Sequence, residues 1–367
     1  MITIAANTDI TSGLAGGLLI GVAATWLMYS ENQIMGISGI SAQALTPVVQ
    51  QKNYQDLRGY WSWSFLAGIL ATGSILTIFQ PEVFGTSESP AAVLSPLGAA
   101  VAGVLTGFGT RLGSGCTSGH GICGLPRRSP RSLTAVLTFI TTGGITTYAI
   151  NNSNMFAAFF SGSGCSHVAG GVINAEGAAQ IIQPLVILIG GIICAALLLR
   201  SKKNETAEHM FGKELATKQQ NEPTVATHAT SFLVGVLFSI GLSVGGMTDP
   251  SRVSGFLNLT SASGWDATLM GVMGGGVLAN LMTFEYMRRN GHGSSCEVFK
   301  FDGHENNMKI DSSLLLGAAL FGCGWGLSGV CPGPALASLP GALWGGLGNG
   351  AMVLYIPFML LGMAIHK

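Results

Sequence analysis

"RLGSGCTSGHGICG", from Arg111 to Gly124, places five glycines, two cysteines and one histidine between long apolar runs. A soluble protein would use such a stretch as a tight loop. Here it falls where hydropathy calls for bilayer, and lipid offers no hydrogen bonds to bare backbone. Irregular, glycine-rich chain at that depth must be buried in protein or line a wet cavity. The stretch therefore predicts a membrane protein with a broken helix in its interior. The composition agrees. Charged residues make up 9% of the 367, hydrophobic residues 48%, and there are 54 glycines. Soluble domains carry about a quarter charged residues and about 7% glycine. The net charge is zero, which gives no footprint for nucleic acid or for an acidic substrate. No Lys or Arg precedes Lys52, so the first apolar run lacks the basic region of a secretory signal and reads as a retained span.

A spanning helix takes about 20 mostly apolar residues. Runs of that kind lie near 13–29, 60–80, 96–114, 132–151, 179–200, 229–247, 266–286, 312–330 and 345–366. Shorter runs at 34–46, 118–126, 251–261 and 333–341 are rich in Gly, Ser or Pro and read as re-entrant half-helices. The basic residues test the count. Lys52 and Arg58, then Arg127, Arg128 and Arg131, then Arg200 to Lys218, then Arg288 to Lys309, and finally Lys367 alternate with stretches that hold none. Nine spans place every basic loop on one side, which is then cytoplasmic. The N-terminus is expected outside and the C-terminus inside. The expected fold is thus an all-α integral membrane protein of nine spans and four half-helices.

The two ends of the chain resemble each other weakly. A shift of 219 residues lays Gly16, Met28 and Gly36 on Gly235, Met247 and Gly255. A shift of 215 lays Gly107, Gly109, Leu112 and Cys116 on Gly322, Gly324, Leu327 and Cys331. One odd span between the halves turns the second copy over, the inverted-topology repeat frequent among transport proteins. The expected units are 1–178, a connecting span and cytoplasmic linker at 179–228, and 229–367.

Both cysteine loops should meet near the midplane. Half-helix N-termini there present unpaired N–H groups and a positive dipole end, which suit an anion. Thr117, Ser118 and Ser328 add hydroxyl donors, and Gly119 lets backbone come close to a ligand. Cys116 and Cys331 occupy corresponding positions, and soft thiols suit a sulfur-bearing ligand; Cys123 and Cys323 are further candidates. Cys194, inside "IGGIICAALLL", reads as apolar filler. The seven cysteines fit no disulfide framework. Cys116, His120 and Cys123 have helix-face spacing and leave a zinc or copper site open, although no fourth ligand is visible nearby. His120 serves equally as a pore-lining hydrogen-bonder, and Cys165 and His167 fall in an external loop. Arg111, inside an apolar stretch, is a functional candidate unless it reaches the cytoplasmic surface. Asp249 stands ready to cap the half-helix at 251–261 or to neutralise Arg252. No phosphate loop, paired carboxylate or Ser-His-Asp set is present, so no enzyme activity and no cofactor are expected.

"RLGSGCTSGHGICG", "GGMTDPSRVSGFLNL" with "WDATLMGVMGGG", and "GCGWGLSGVCPGPAL" resemble the YeeE/YedE family, the sulphur transport domain family. The resemblance implies inverted halves, an hourglass shape, and uptake of thiosulfate past cysteines at a constriction. By matching motif that role falls on Cys116 and Cys331. The family's thiosulfate importers also carry a thiol near the first span, where this chain has Met28 and Ser30. Several bacterial relatives are two separate proteins, of which this chain resembles a fusion. The expected function is a cell (inner) membrane permease for a small sulfur-containing anion, thiosulfate first. The expected partners are that anion, the bilayer and a cytoplasmic sulfur-carrier protein. The alternatives are an intramembrane thiol enzyme or sulfur relay with a persulfide on Cys116, and a structural subunit without a pore.

Overall fold

The computed structural model describes residues 9–31, 33–50, 60–85, 94–152, 225–259, 265–289, 310–343 and 350–365. All regular elements among them are helical. The first half runs α1 (Ile10–Glu31), α2 (Ile37–Gln50), α3 (Tyr60–Phe79), α4 (Pro96–Leu112), a π-helix (Thr117–Gly124) and α5 (Pro130–Asn152). The second runs α6 (Val225–Val244), α7 (Pro250–Leu257), α8 (Thr268–Arg289), α9 (Ser312–Ser328), α10 (Pro332–Leu343) and α11 (Gly350–Ile365). Each half thus reads long, short, long, long, short, long. The four short runs seen in the sequence become α2, the π-helix, α7 and α10. The expected span at 179–200 lies outside the described residues, as do Cys165, His167, Cys194 and Cys296. The described chain resumes at Val225, where α6 begins.

Among the described residues, five stretches are long and apolar enough to cross a membrane: Ile10–Glu31, Trp61–Phe79, Pro130–Asn152, Val225–Val244, and Ser312–Leu343, which joins α9 and α10. The protein is an all-α membrane protein. α4, with 17 residues, and α11, with 16, fall just short of that length. Local chemistry sets the helix starts. Asp9 caps α1, accepting from the Ser12 N–H at 2.9 Å and the Thr11 hydroxyl at 2.8 Å. The Ser12 backbone bond, followed by the hydroxyls, holds its carboxyl down to about 2. Ser95 caps α4 and Asp311 caps α9 through side-chain oxygens.

The helices pair across the halves. α1 packs on α8 and α3 on α6; α4 packs on α11 and α5 on α9. α1 and α6 also pack on each other, as do α4 and α9. Lipid supplies no hydrophobic drive between helices, so close backbone approach carries much of this packing. Gly13, Gly17 and Gly21 of α1 form one face against Thr268, Val272 and Gly276 of α8. Gly235 of α6 meets the backbone of Phe65, and Gly68 of α3 meets that of Phe232. Where α5 meets α9, Phe139 instead packs edge-on against the stacked rings of Phe321 and Trp325, at centroid distances of 5.3 and 5.7 Å.

The 219-residue register does not match these elements. α1 and α6 end 213 residues apart, at Glu31 and Val244, and α2 and α7 begin 213 apart, at Ile37 and Pro250. Chance glycine matches in an apolar run shift a register easily. Ser114 and Gly329, which lie 215 residues apart and two residues before Cys116 and Cys331, both take a left-handed backbone, with φ of 60° and 68°.

Gly17→Leu should break the α1–α8 contact, since even a Cβ there would overlap the Val272 carbonyl. Overpacking of this kind costs about 1–3 kcal/mol. Thermal unfolding in detergent should show a clear loss for Gly17→Leu and none for Gly274→Ala, whose Cβ would meet nothing within 4 Å.

Candidate functional site

The π-helix is held by four other elements. Asn280 of α8, fully buried, donates from Nδ2 to the Ile122 carbonyl at 2.8 Å. Ser118 Oγ accepts from the Ile37 N–H at the start of α2, at 3.2 Å. Cys123 Sγ donates to the Met35 carbonyl at 3.5 Å. The His120 ring reaches Ser132 Oγ of α5 at 3.2 Å and the Gly113 carbonyl at the end of α4 at 2.9 Å. Each bond satisfies a polar group that lipid could not. Glycine 115 makes room for this, because a Cβ there would meet the His120 ring at 2.8 Å. Ser114 is a non-glycine residue in left-handed conformation, a strained state that its surroundings must hold. Arg131, paired with Asp311 at 3.0 Å, also reaches the Ser114 hydroxyl at 3.5 Å.

This framework sets Cys116 in extended backbone just ahead of the π-helix, and Cys331 sits just ahead of α10. The two junctions touch: Thr117 Oγ1 donates to Cys331 Sγ at 3.7 Å, across 214 residues of chain. Cys116 Sγ lies 3.3 Å from Ser118 Oγ. Both cysteines are buried, free thiols, as is Cys123, while Cys323 is half-buried and also free. Between the junctions lies a cavity of about 40 Å³, room for more than one water molecule. Cys116, Thr117, Ser118 and Cys331 line it, together with apolar residues that include Ile37 and Phe238. None of the described residues that line it is charged.

The structure thus gathers four of the ten candidate residues at one place. The other six lie elsewhere. His120 and Cys123 spend their polar atoms on the framework. Ser328 Oγ donates to the Gly324 carbonyl at 2.9 Å and accepts the Val330 N–H at 3.2 Å, which shapes the turn into Cys331. Gly119 lies against Gly36 of the α1–α2 connection. Cys323 sits on α9 away from the cavity, and Arg111 sits in the last turn of α4, at the negative end of the helix dipole. The Cys116–His120–Cys123 metal alternative finds no support in this arrangement, since the three side chains point to separate partners. Asp249 does cap its helix, accepting the Ser251 N–H at 2.9 Å, while Arg252 pairs with Asp266 at 3.3 Å.

The two helix N-termini differ in the backbone N–H groups that they leave without an intrahelical partner. First-turn N–H groups have no partner within their own helix. At the π-helix these belong to Thr117, Ser118 and Gly119. At α10, Pro332 and Pro334 carry no N–H, which leaves Gly333 alone. Sequence reading treated the two ends as equals and passed over these prolines. It also passed over Met247 and Met273, which line the cavity.

Fold and cavity define a polytopic, all-α membrane protein with thiols facing an interior space. Comparison with known proteins narrows this. Residues 5–147 match a family described as "Sulphur transport", and residues 227–367 match a "Family of unknown function (DUF6691)". A "Probable transporter" of Xylella fastidiosa (strain Temecula1 / ATCC 700964) is 36% identical over 132 residues, which cover 36% of this chain and 82% of that protein. Another "Probable transporter" of the same strain is 34% identical over 133 residues, 35% of this chain and 87% of that protein. A "Probable transporter" of strain 9a5c is 36% identical over 132 residues, 36% of this chain and 84% of that protein. The chain belongs to the YeeE/YedE-type sulphur transport family, and it is a membrane transporter.

Gly329→Ala should damage the Cys331 junction. Its φ of 68° suits glycine, and an added Cβ would meet Ser254 Oγ at 2.5 Å and the Pro250 carbonyl at 2.6 Å. A loss of about 1–3 kcal/mol is expected. Faster alkylation of Cys331 in the folded variant than in the parent protein would check it.

Proposed function

We propose that the protein is a permease that takes up a small sulfur-containing anion, foremost thiosulfate, across the cell membrane. The observation that carries this reading is the shared cavity: Cys116 and Cys331, from distant parts of the chain, face one space beside the Thr117 and Ser118 hydroxyls. In this reading hydroxyls and first-turn N–H groups hold the oxyanion end of the ligand. The thiols meet its terminal sulfur. No bond is made or broken, so the protein is a carrier and not an enzyme. The match to a sulphur transport family supports the substrate class.

The four short helices are read as re-entrant and the two halves as inverted copies, 1–178 and 229–367, joined through 179–228. Support comes from the repeated order of long and short helices, the reciprocal pairing across the halves, and the shared left-handed turn before each cysteine. Relatives that take up little more than a third of this chain fit a protein made of two such halves. The one-sided Lys and Arg support an orientation with the N-terminus outside and the C-terminus in the cytoplasm, where a sulfur-carrier protein would receive the cargo.

Uptake by purified protein in lipid vesicles tests the reading. Labelled thiosulfate should enter. Sulfate, of equal charge, should compete about tenfold less well if one sulfur–thiol contact contributes roughly 1.4 kcal/mol, and about a hundredfold less well if two contacts add. Cys116→Ala should cut uptake strongly, Cys331→Ala less, and Cys194→Ala hardly at all. Equal inhibition by sulfate and thiosulfate would remove the thiols from substrate selection. Sulfite released in equal amount with a persulfide on Cys116 would instead mark the sulfur-relay reading.

A further inference from the structure

Cys116 and Cys331 are not the only sulfur at the cavity. Met247 and Met273 line it too. Met247 lies in the tight turn between α6 and α7, 4% exposed, with its N–H donating to the Leu242 carbonyl at 2.8 Å. Gly246 beside it has a φ of 68°, the left-handed backbone that lets the chain reverse there. Met273 comes from α8. Its methyl and sulfur rest on the π-helix at Gly121, where a Cβ would overlap the Met273 Cε and meet its Sδ at 3.2 Å. Four sulfur-bearing residues, from four separate parts of the chain, therefore line one space.

Methionine ordinarily fills irregular gaps in a core, and leucine then does as well. Gap filling does not account for the concentration here. Four of the sixteen described lining residues carry sulfur, whereas the whole chain has 7 Cys and 14 Met in 367 residues. The lining is enriched about fourfold. A thioether also brings something that a thiol does not. It has no acidic proton, so it never becomes an anion that repels an anionic cargo, and it cannot take up a persulfide. It keeps a polarisable sulfur in the path at every pH.

We infer that Met247 and Met273 are specificity-determining residues, whose thioether sulfurs share with the two thiols the task of holding the soft, sulfur end of the transported anion. The inference rests on the permease reading and names a part of the site that the sequence motifs do not mark. It predicts that selectivity, rather than oxyanion binding, depends on these side chains. Helix N–H groups and hydroxyls attract thiosulfate and sulfate alike, while soft sulfur distinguishes them.

Leucine conserves volume and removes the sulfur, so Met247→Leu, Met273→Leu and the double variant isolate the effect. Met359→Leu is the control, because Met359 is buried on α11 in a core cluster with no member among the described cavity-lining residues. In the vesicle assay each single variant should lower the thiosulfate-over-sulfate preference about threefold to tenfold. Sulfate inhibition itself and the melting temperature should stay near those of the parent, and Met359→Leu should change nothing. A second measurement needs no substitution: protein grown with selenomethionine keeps its shape and gains a softer atom, so its preference should rise, and this gain should vanish in the double variant. Parent-like preference in the double variant, with Cys116→Ala still losing it, would overturn the inference and leave the permease standing. A parent protein that shows no preference at all would remove both.

Discussion

A backbone that leaves its helix inside a membrane must find hydrogen bonds in the protein itself, and the interior of this molecule is organised by that requirement. The π-helix at 117–124 exists because Asn280, Ser118, His120 and Cys123 each satisfy or occupy a polar group at its edge. Those bonds reach into α2, α4, α5 and α8, so the broken segment fastens much of the bundle together. Close approach is the second half of the same solution. Short side chains bring the long helices near enough for one residue to reach another's carbonyl, as Thr147 does in donating to Gly326 at 3.1 Å. Packing and polar satisfaction are therefore not separate achievements here. Each glycine face that draws two helices together also shortens the distance over which a buried carbonyl must find its donor.

The chemistry follows from what this framework leaves over. His120 and Cys123 have the reactive side chains, but their polar atoms are committed to the Gly113 and Met35 carbonyls and the Ser132 hydroxyl. Cys116 and Cys331 stand at the junctions themselves, where the chain changes direction and side chains face the cavity. Sulfur beside hydroxyls, with no charged lining residue among those described, makes a space that is polarisable without being strongly charged. Such a lining resists a tightly hydrated ion more than one with a diffuse charge, since burial of charge is costly unless the ion finds partners in return.

Much of the fold could be read from the chain, for a physical reason. Spans are long enough to announce themselves by hydropathy, and the breaks stand out because glycine, serine and proline interrupt apolar runs. Cys116 and Cys331, which line one cavity, stood out in the sequence because a 215-residue offset lays one cysteine on the other. The 219-residue register misled, since small residues recur too often in membrane helices to fix an offset. Side-chain destinations were harder. Nothing in "SGHGIC" says that His120 folds back on Gly113, because that bond depends on the turn at Ser114. Met247 and Met273 look like two of 14 methionines until the helices that carry them are brought together.

Pro332 and Pro334 flank a single glycine at the head of α10, and they make the two ends of the cavity unequal. In the proposed permease an anion beside the π-helix would find the N–H groups of the cavity-lining Thr117 and Ser118, whereas one beside α10 would find that of Gly333 alone. Conduction needs sites attractive enough to enter and weak enough to leave. Two prolines, by subtracting donors, would then act as a timing element, keeping one of the two stations shallow.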